Sequence, residues 1–175
     1  GDSRISNVIS IGMRSGPSAA VPTAWSVVAS ATELAMGEIA RCLSGLRAVF
    51  AAALLPYVFT GLAKLGPGTP TRYDNRAPRD WLEHLTGWRK RAHWAQQNAF
   101  EAFPPFAAGV IVAHLAGAAQ GRIDDLAVAF VALRAAHGAL YVLDRAWLRS
   151  VVWTLAFACV ILLFISAAQA TGATS

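Results

Sequence analysis

Four long apolar stretches alternate with polar connections along this chain of 175 residues. The first runs from about Leu46 to Leu65, "LRAVFAAALLPYVFTGLAKL", with Pro56 placed to kink it. The second runs from about Ala95 to Ala119, the third from about Asp125 to Leu143, and the fourth from about Val151 to Ala170, which carries no charge. Crossing about 30 Å of hydrocarbon takes roughly 20 helical residues, and only a helix or a closed barrel satisfies its own backbone there. The pattern therefore predicts four membrane spans joined by one long and then two short connections. Short connections between long helices place them side by side and antiparallel, so the expected fold is all-α: an integral membrane antiparallel four-helix bundle.

Composition agrees with that picture and narrows it. The chain is 55% hydrophobic and 14% charged, with a mean hydropathy of +0.44, too apolar for a soluble domain of this length. Its net charge of +5 would suit nucleic acid, but the basic residues gather in connections between spans, as in a membrane protein, so nucleic acid is set aside as a partner. Lys64, Arg72, Arg76, Arg79, Arg89, Lys90 and Arg91 lie at or in the long first connection, and Arg145 and Arg149 lie between spans three and four. Those two connections are expected to be cytoplasmic, with both termini on the other side. In the long connection, "GPGTPTRYDNRAPRDWLEHLTGWRKR", Pro and Gly signal turns and Asp80 is a candidate N-cap for a helical approach to span two.

Residues 1–35 fit the pattern less well. They are rich in Ala and Ser, contain Pro17 and Pro22, and lack the basic cluster and apolar core of a signal peptide. They read as a poorly ordered extension ending in a short surface helix, followed by the four-span domain over 36–170 and a tail over 171–175. The methionines are Met13 and Met36, and the bundle is complete from Met36 onward, which raises the expectation that the extension lies upstream of the true start.

The polar residues inside the spans carry the chemical information. Arg134, His137 and Tyr141 stand at i, i+3 and i+7 in span three, with Arg145 four further on, so a continuous helix would set them in one stripe. A guanidinium near the middle of a span needs a partner or a water-filled cavity, and Glu101 at the head of span two is the expected one. A purely structural ion pair is one reading; a polar site open to the cytoplasmic side is the other. His114 lies at the far end of span two and reads as interfacial, and Trp81, Trp88, Trp94, Trp147 and Trp153 read as an aromatic belt. Cys42 and Cys159 have no metal spacing, and no HExxH, CxxC, P-loop, GxSxG or carboxylate pair is present, so no metal site, hydrolase or NTPase is expected.

Two motifs give these residues a family. "QQNAFEAFP" sets Asn98, Glu101 and Pro104 in an N-x-x-E-x-x-P arrangement, and Arg134, His137, Tyr141, Arg145 and Arg149-Ser150 follow an R-x-x-H-x-x-x-Y…R-x-x-x-R-S order. "TGLAK", ending at Lys64, adds the end of span one. Together they resemble the MAPEG family, the membrane-associated proteins of eicosanoid and glutathione metabolism, over roughly Met36 to Ala168. The second motif is similar to the prostaglandin E synthase branch with one residue fewer between Tyr141 and Arg145. "YDNRAPR" in the first connection looks like a bacterial version, which implies the bacterial inner membrane.

The resemblance implies a homotrimer that holds glutathione between subunits near the cytoplasmic face, combining spans one and two of one subunit with three and four of its neighbour. By resemblance, Lys64, Asn98, Glu101, Arg134, His137, Tyr141 and Arg145 bind glutathione, and Arg149 and Ser150 are catalytic. The implied activity is a glutathione-dependent transferase or peroxidase, acting on a small apolar electrophile or hydroperoxide drawn from membrane lipid. The alternative is a non-catalytic protein of the same fold that binds and presents lipid. One departure bears on the choice: the family places arginines four residues, and in some members one residue, before the Asn, where this chain has Trp94 and Gln97. Arg91, a turn earlier, is a candidate substitute.

Overall fold

The computed structural model describes residues 24–65 and 73–172, with side chains from residue 45 onward. Every regular element among them is helical. Helix α1 spans Ala24–Leu65, α2 Pro78–Glu83, α3 Gly87–Leu115, α4 Gln120–Val142 and α5 Ala146–Gly172. The bundle belongs to the second of two units, Glu38–Ser175. Of the first unit, Gly1–Gly37, only the helical backbone from Ala24 is described, so the expected extension falls largely outside the described residues.

Among the described residues, three helical segments are long and apolar enough to cross a membrane, Gly45–Leu65, Gln120–Val142 and Ala146–Gly172. The expected second span is the exception. Helix α3 has 29 residues, about 43 Å at roughly 1.5 Å per residue, but its first half carries Arg89, Lys90, Arg91, Gln96, Gln97, Asn98 and Glu101. It joins the bundle through its second half. Phe106, Val110 and Ala113 share one core with Ala48 and Ala52 of α1, Ile123, Ala127 and Phe130 of α4, and Ala156, Val160 and Leu163 of α5. The rings of Phe106 and Phe130 stack at 3.9 Å. Meanwhile Leu155, Phe157, Ile161, Leu162, Phe164 and Ile165 of α5 remain exposed, as side chains facing lipid would.

Both short connections are Schellman turns, which satisfy the last carbonyls of a helix before the chain reverses. After α3, Gly117 takes φ +74, Ala118 donates to the Ala113 carbonyl and Gly117 to that of His114. After α4, Asp144 takes φ +60, Arg145 donates its backbone N–H to the Leu140 carbonyl and Asp144 to that of Tyr141. This second turn corrects the polar stripe: α4 stops at Val142, so Arg145 lies beyond the helix on an exposed reversal and does not continue the line of Arg134, His137 and Tyr141.

Helix α3 also supplies cations to the C-terminal ends of its antiparallel neighbours, where helix dipoles favour positive charge. Buried Arg89 donates from Nη1 to the Ala63 carbonyl at 3.0 Å, near the end of α1. Arg91 donates from Nε to the Val142 carbonyl at 3.1 Å and lies 3.7 Å from the Asp144 carboxylate. Two residues of the basic first connection are thus structural ties. Short α2 begins at Pro78 with Ala77 as its N-cap; Asp80, expected as the cap, sits in the first turn instead, where Pro at the first helical position has moved the start three residues earlier.

Helices α1 and α4 meet at very short range. A Cβ built on Gly138 would overlap the Cζ end of the Phe59 ring, so glycine lets the tip of that ring lie on the α4 backbone, as small residues do at membrane helix crossings.

Candidate functional site

Asn98 is the hub. From α3 it accepts two hydrogen bonds from Arg134 Nη2 of α4, on its backbone carbonyl at 2.8 Å and on its side-chain Oδ1 at 2.8 Å. Its Nδ2 donates toward Glu101 Oε2 at 3.4 Å, one turn along the same helix. The direct Glu101–Arg134 ion pair expected from the sequence is therefore not formed. An amide stands between the two charges, answering the guanidinium with oxygen and the carboxylate with N–H. The geometry explains the preference: Glu101 is on the exposed side of α3 while Arg134 is buried, and Asn98 has the shorter reach between them.

A second group gathers one turn toward the start of α5. His137 is buried and meets Tyr141 edge to face at 5.5 Å. Arg149, in the first turn of α5, lies over the Tyr141 ring at 4.1 Å, a cation–π contact that parks the guanidinium without spending its N–H donors. Ser150 is exposed and donates to its own helix at the Ala146 carbonyl, 3.3 Å away, so its hydroxyl is weakly held and free to turn. Trp94 packs at 6.4 Å from Tyr141.

Two cavities meet along this line. One, of about 220 Å³, is lined by Asn98, His137, Tyr141, Arg149, Ser150, Trp153 and Thr154. The other, of about 170 Å³, lies between α3, α4 and α5 and is lined by Asn98, Glu101 and Arg134 beside mostly apolar groups from Ala102 to Val160. Asn98 and Trp153 belong to both. Six of the residues that the sequence marks as ligands or catalysts, Asn98, His137, Tyr141, Arg149, Ser150 and Arg134, thus converge within one chain, and Glu101 lines the deeper cavity.

Others are placed elsewhere. Lys64 donates to the Tyr73 hydroxyl at 2.8 Å and sits over that ring at 4.3 Å, and it lines neither cavity. Arg145 is likewise absent from both walls. Arg91 is engaged by Val142 and Asp144 and lines neither cavity. Asn98 of span two meets Arg134 of span three within the same chain. Trp153 and Thr154 are not among the site residues that the sequence motifs mark. Their signal is the spacing from Arg149 and Ser150, four residues on along one helix face, but an interfacial aromatic belt accounts for Trp153 equally well.

Among the described residues no cluster of three or more His, Cys, Asp or Glu is placed to hold a metal ion. Cys159 is buried and free.

A bundle of long apolar helices with exposed apolar side chains, and with a buried arginine on the wall of a largely apolar cavity, defines an integral membrane protein. A sequence model of the MAPEG family matches residues 44–169, most of the chain, and the protein belongs to that family. No curated protein and no solved structure gives a significant match.

Proposed function

We propose that the protein is a membrane-bound glutathione-dependent transferase or peroxidase acting on an apolar electrophile or hydroperoxide from the lipid phase. The observation that carries this reading is the convergence of Arg149, Tyr141, His137, Asn98 and Ser150 on one open cavity, and many members of the MAPEG family use glutathione. Glutathione presents two carboxylates, an ammonium and a thiol. Guanidinium and imidazole groups suit the former, and the Glu101–Asn98 pair suits the ammonium. An unperturbed thiol ionises at roughly pH 8.5, so holding it as the thiolate nucleophile at neutral pH requires adjacent positive charge and a hydroxyl donor. Arg149 supplies the charge once it leaves the Tyr141 face, and Ser150 the hydroxyl once it releases Ala146.

Turnover tests the assignment. Arg149→Ala is expected to lower thiol conjugation near neutral pH by about tenfold, with partial recovery at higher pH where the thiol ionises unaided. Glutathione binding, measured by calorimetry, is expected to fall less than turnover. An equal loss at every pH would remove Arg149 from thiolate stabilisation. Absence of glutathione binding to the parent protein and to Trp94→Arg and Gln97→Arg alike would replace the enzyme with the second reading, a lipid-binding and presenting protein. That reading draws on the aromatic Trp94 standing against Tyr141 where the family has a cation.

The reading extends to assembly and orientation. Lys64 and Arg145 lie outside the cavities of one chain, and a homotrimer in which a neighbouring subunit closes the open side gives them a route to the ligand. Native mass spectrometry in mild detergent is expected to return the mass of three chains; a monomer would contradict it. The basic connection between α1 and α3 is assigned to the cytoplasmic side of a bacterial inner membrane, with both termini opposite. In a background lacking Cys42 and Cys159, Asn75→Cys, exposed in that connection, is expected to react with an impermeant maleimide in inverted vesicles and not in intact cells. The reverse labelling would invert the topology.

A further inference from the structure

The end of the bundle away from Arg149 carries a polar cavity of its own. It measures about 270 Å³ and opens between the turn that follows α3, the start of α4 and the last turns of α5. Gly117, Ala118, Ala119 and Ala170 keep part of its wall small, while Arg122 of α4 and Gln169 of α5 supply its long side chains.

Arg122 donates from Nη1 to Gln169 Oε1 at 3.1 Å. That bond takes the amide oxygen and leaves Gln169 Nε2 to donate, beside a guanidinium whose other N–H groups have no partner among the described residues. Both side chains are exposed, so these donors are open to a ligand. Of the nearby carboxylates, Asp124 accepts from Gln120 Nε2 at 2.9 Å, and neither it nor Asp125 lines the cavity. A guanidinium and an amide N–H in a recess without an acidic wall suit an anion with several oxygens to share, and a phosphate has that geometry.

Depth in the membrane says where such an anion comes from. Trp147 is 72% exposed near the start of α5, as an interfacial aromatic would be, and Gln169 follows 22 residues later, about 33 Å along a helix. A hydrocarbon layer of about 30 Å fits between them. The large exposed apolar side chains of α5 end at Ile165, one turn before Gln169, so the cavity lies where acyl chains give way to head groups. Its volume exceeds the roughly 150 Å³ of a cavity that admits benzene, enough for a phosphodiester with a short polyol.

We propose that this cavity binds the phosphodiester head of an anionic membrane phospholipid, with Arg122 and Gln169 Nε2 donating to the phosphate oxygens. A net anionic head is favoured over a zwitterionic one, because the wall has a cation to neutralise it and no carboxylate to answer an ammonium. The site stands about 30 Å along α5 from Arg149 and does not rest on the function proposed above.

The test is native mass spectrometry of the full chain in mild detergent, titrated with dimyristoyl phosphatidylglycerol, dimyristoyl phosphatidylcholine and the soluble glycerophosphoglycerol head without acyl chains. For the tightest adduct, phosphatidylglycerol is expected to bind at least roughly tenfold more tightly than either of the others, the scale of hydrogen bonds to a charged group. Arg122→Gln is expected to bring phosphatidylglycerol within about twofold of phosphatidylcholine. Gln169→Glu, which sets a carboxylate against Arg122, is expected to do the same and serves if the first variant does not fold. Arg76→Gln removes an exposed arginine from the basic connection at the other end and leaves phosphatidylglycerol binding within about twofold. Equal affinity for the two lipids, a preference that survives both cavity variants, or a preference lost in Arg76→Gln overturns the proposal. Glycerophosphoglycerol binding as tightly as the lipid overturns the membrane as the source of the anion.

Discussion

Replacing Gly138 by alanine is expected to destabilise the bundle by about 3 kcal/mol, the upper range for overpacking a close-packed core. The added methyl would overlap the tip of the Phe59 ring. That ring has nowhere to go: it is buried with Ala95 and Ala99 of α3, and Leu55 and Tyr141 pack against the same cluster. Relief therefore has to come from separating α1 from α4. Because His137 precedes Gly138 and Tyr141 follows one turn later, the displacement reaches the cavity that they line, and the proposed activity should fall with stability. Denaturant unfolding in detergent, followed by helical circular dichroism, measures the first effect. Phe59→Ala alone leaves a void and is itself destabilising, but the double variant is expected to be more stable than the sum of the two losses by more than about 1 kcal/mol. Simple additivity would show that the two residues do not share this contact.

The second large effect concerns how the buried guanidinium is held. Asn98→Leu removes the side-chain acceptor and leaves Arg134 only a backbone carbonyl, at an expected cost of about 3 kcal/mol, as when one partner of a buried charged contact is deleted. Glu101→Gln is expected to cost less than about 1 kcal/mol, because Glu101 is exposed and is linked to Arg134 through the Asn98 amide. Adding Arg134→Met should rescue Asn98→Leu, since an apolar pair of matching shape carries no desolvation penalty, and should leave the Glu101→Gln effect unchanged. A cycle that couples Arg134 to Glu101 and not to Asn98 would restore the direct ion pair and refute the amide hub.

Much of this architecture is legible in the order of the residues. The apolar runs locate three spans and the neighbourhood of a fourth, because a helix in lipid must be apolar along most of its length and short connections leave antiparallel neighbours little choice. The 3.6-residue period brings Arg134, His137 and Tyr141 together correctly. It fails at Arg145 because periodicity assumes the helix continues, and the left-handed Asp144 ends it; aspartate at such a position is a weaker stop signal than glycine. The boundaries of α3 escape the hydropathy pattern as well. Its polar first half is stabilised by what it touches, with Arg89 and Arg91 reaching the ends of α1 and α4, and such contacts leave no mark in hydropathy.

Local composition and spacing settle the long helices, their order, the membrane as solvent and the family. Packing settles the rest: which group Arg134 answers to, that Phe59 rests on Gly138, and that Lys64 turns to Tyr73 instead of the cavity. Those outcomes depend on side-chain reach and on the rotation of each helix about its axis. Residues 36 positions apart, such as Asn98 and Arg134, meet only once packing has set that rotation, and no spacing rule along a single helix specifies it.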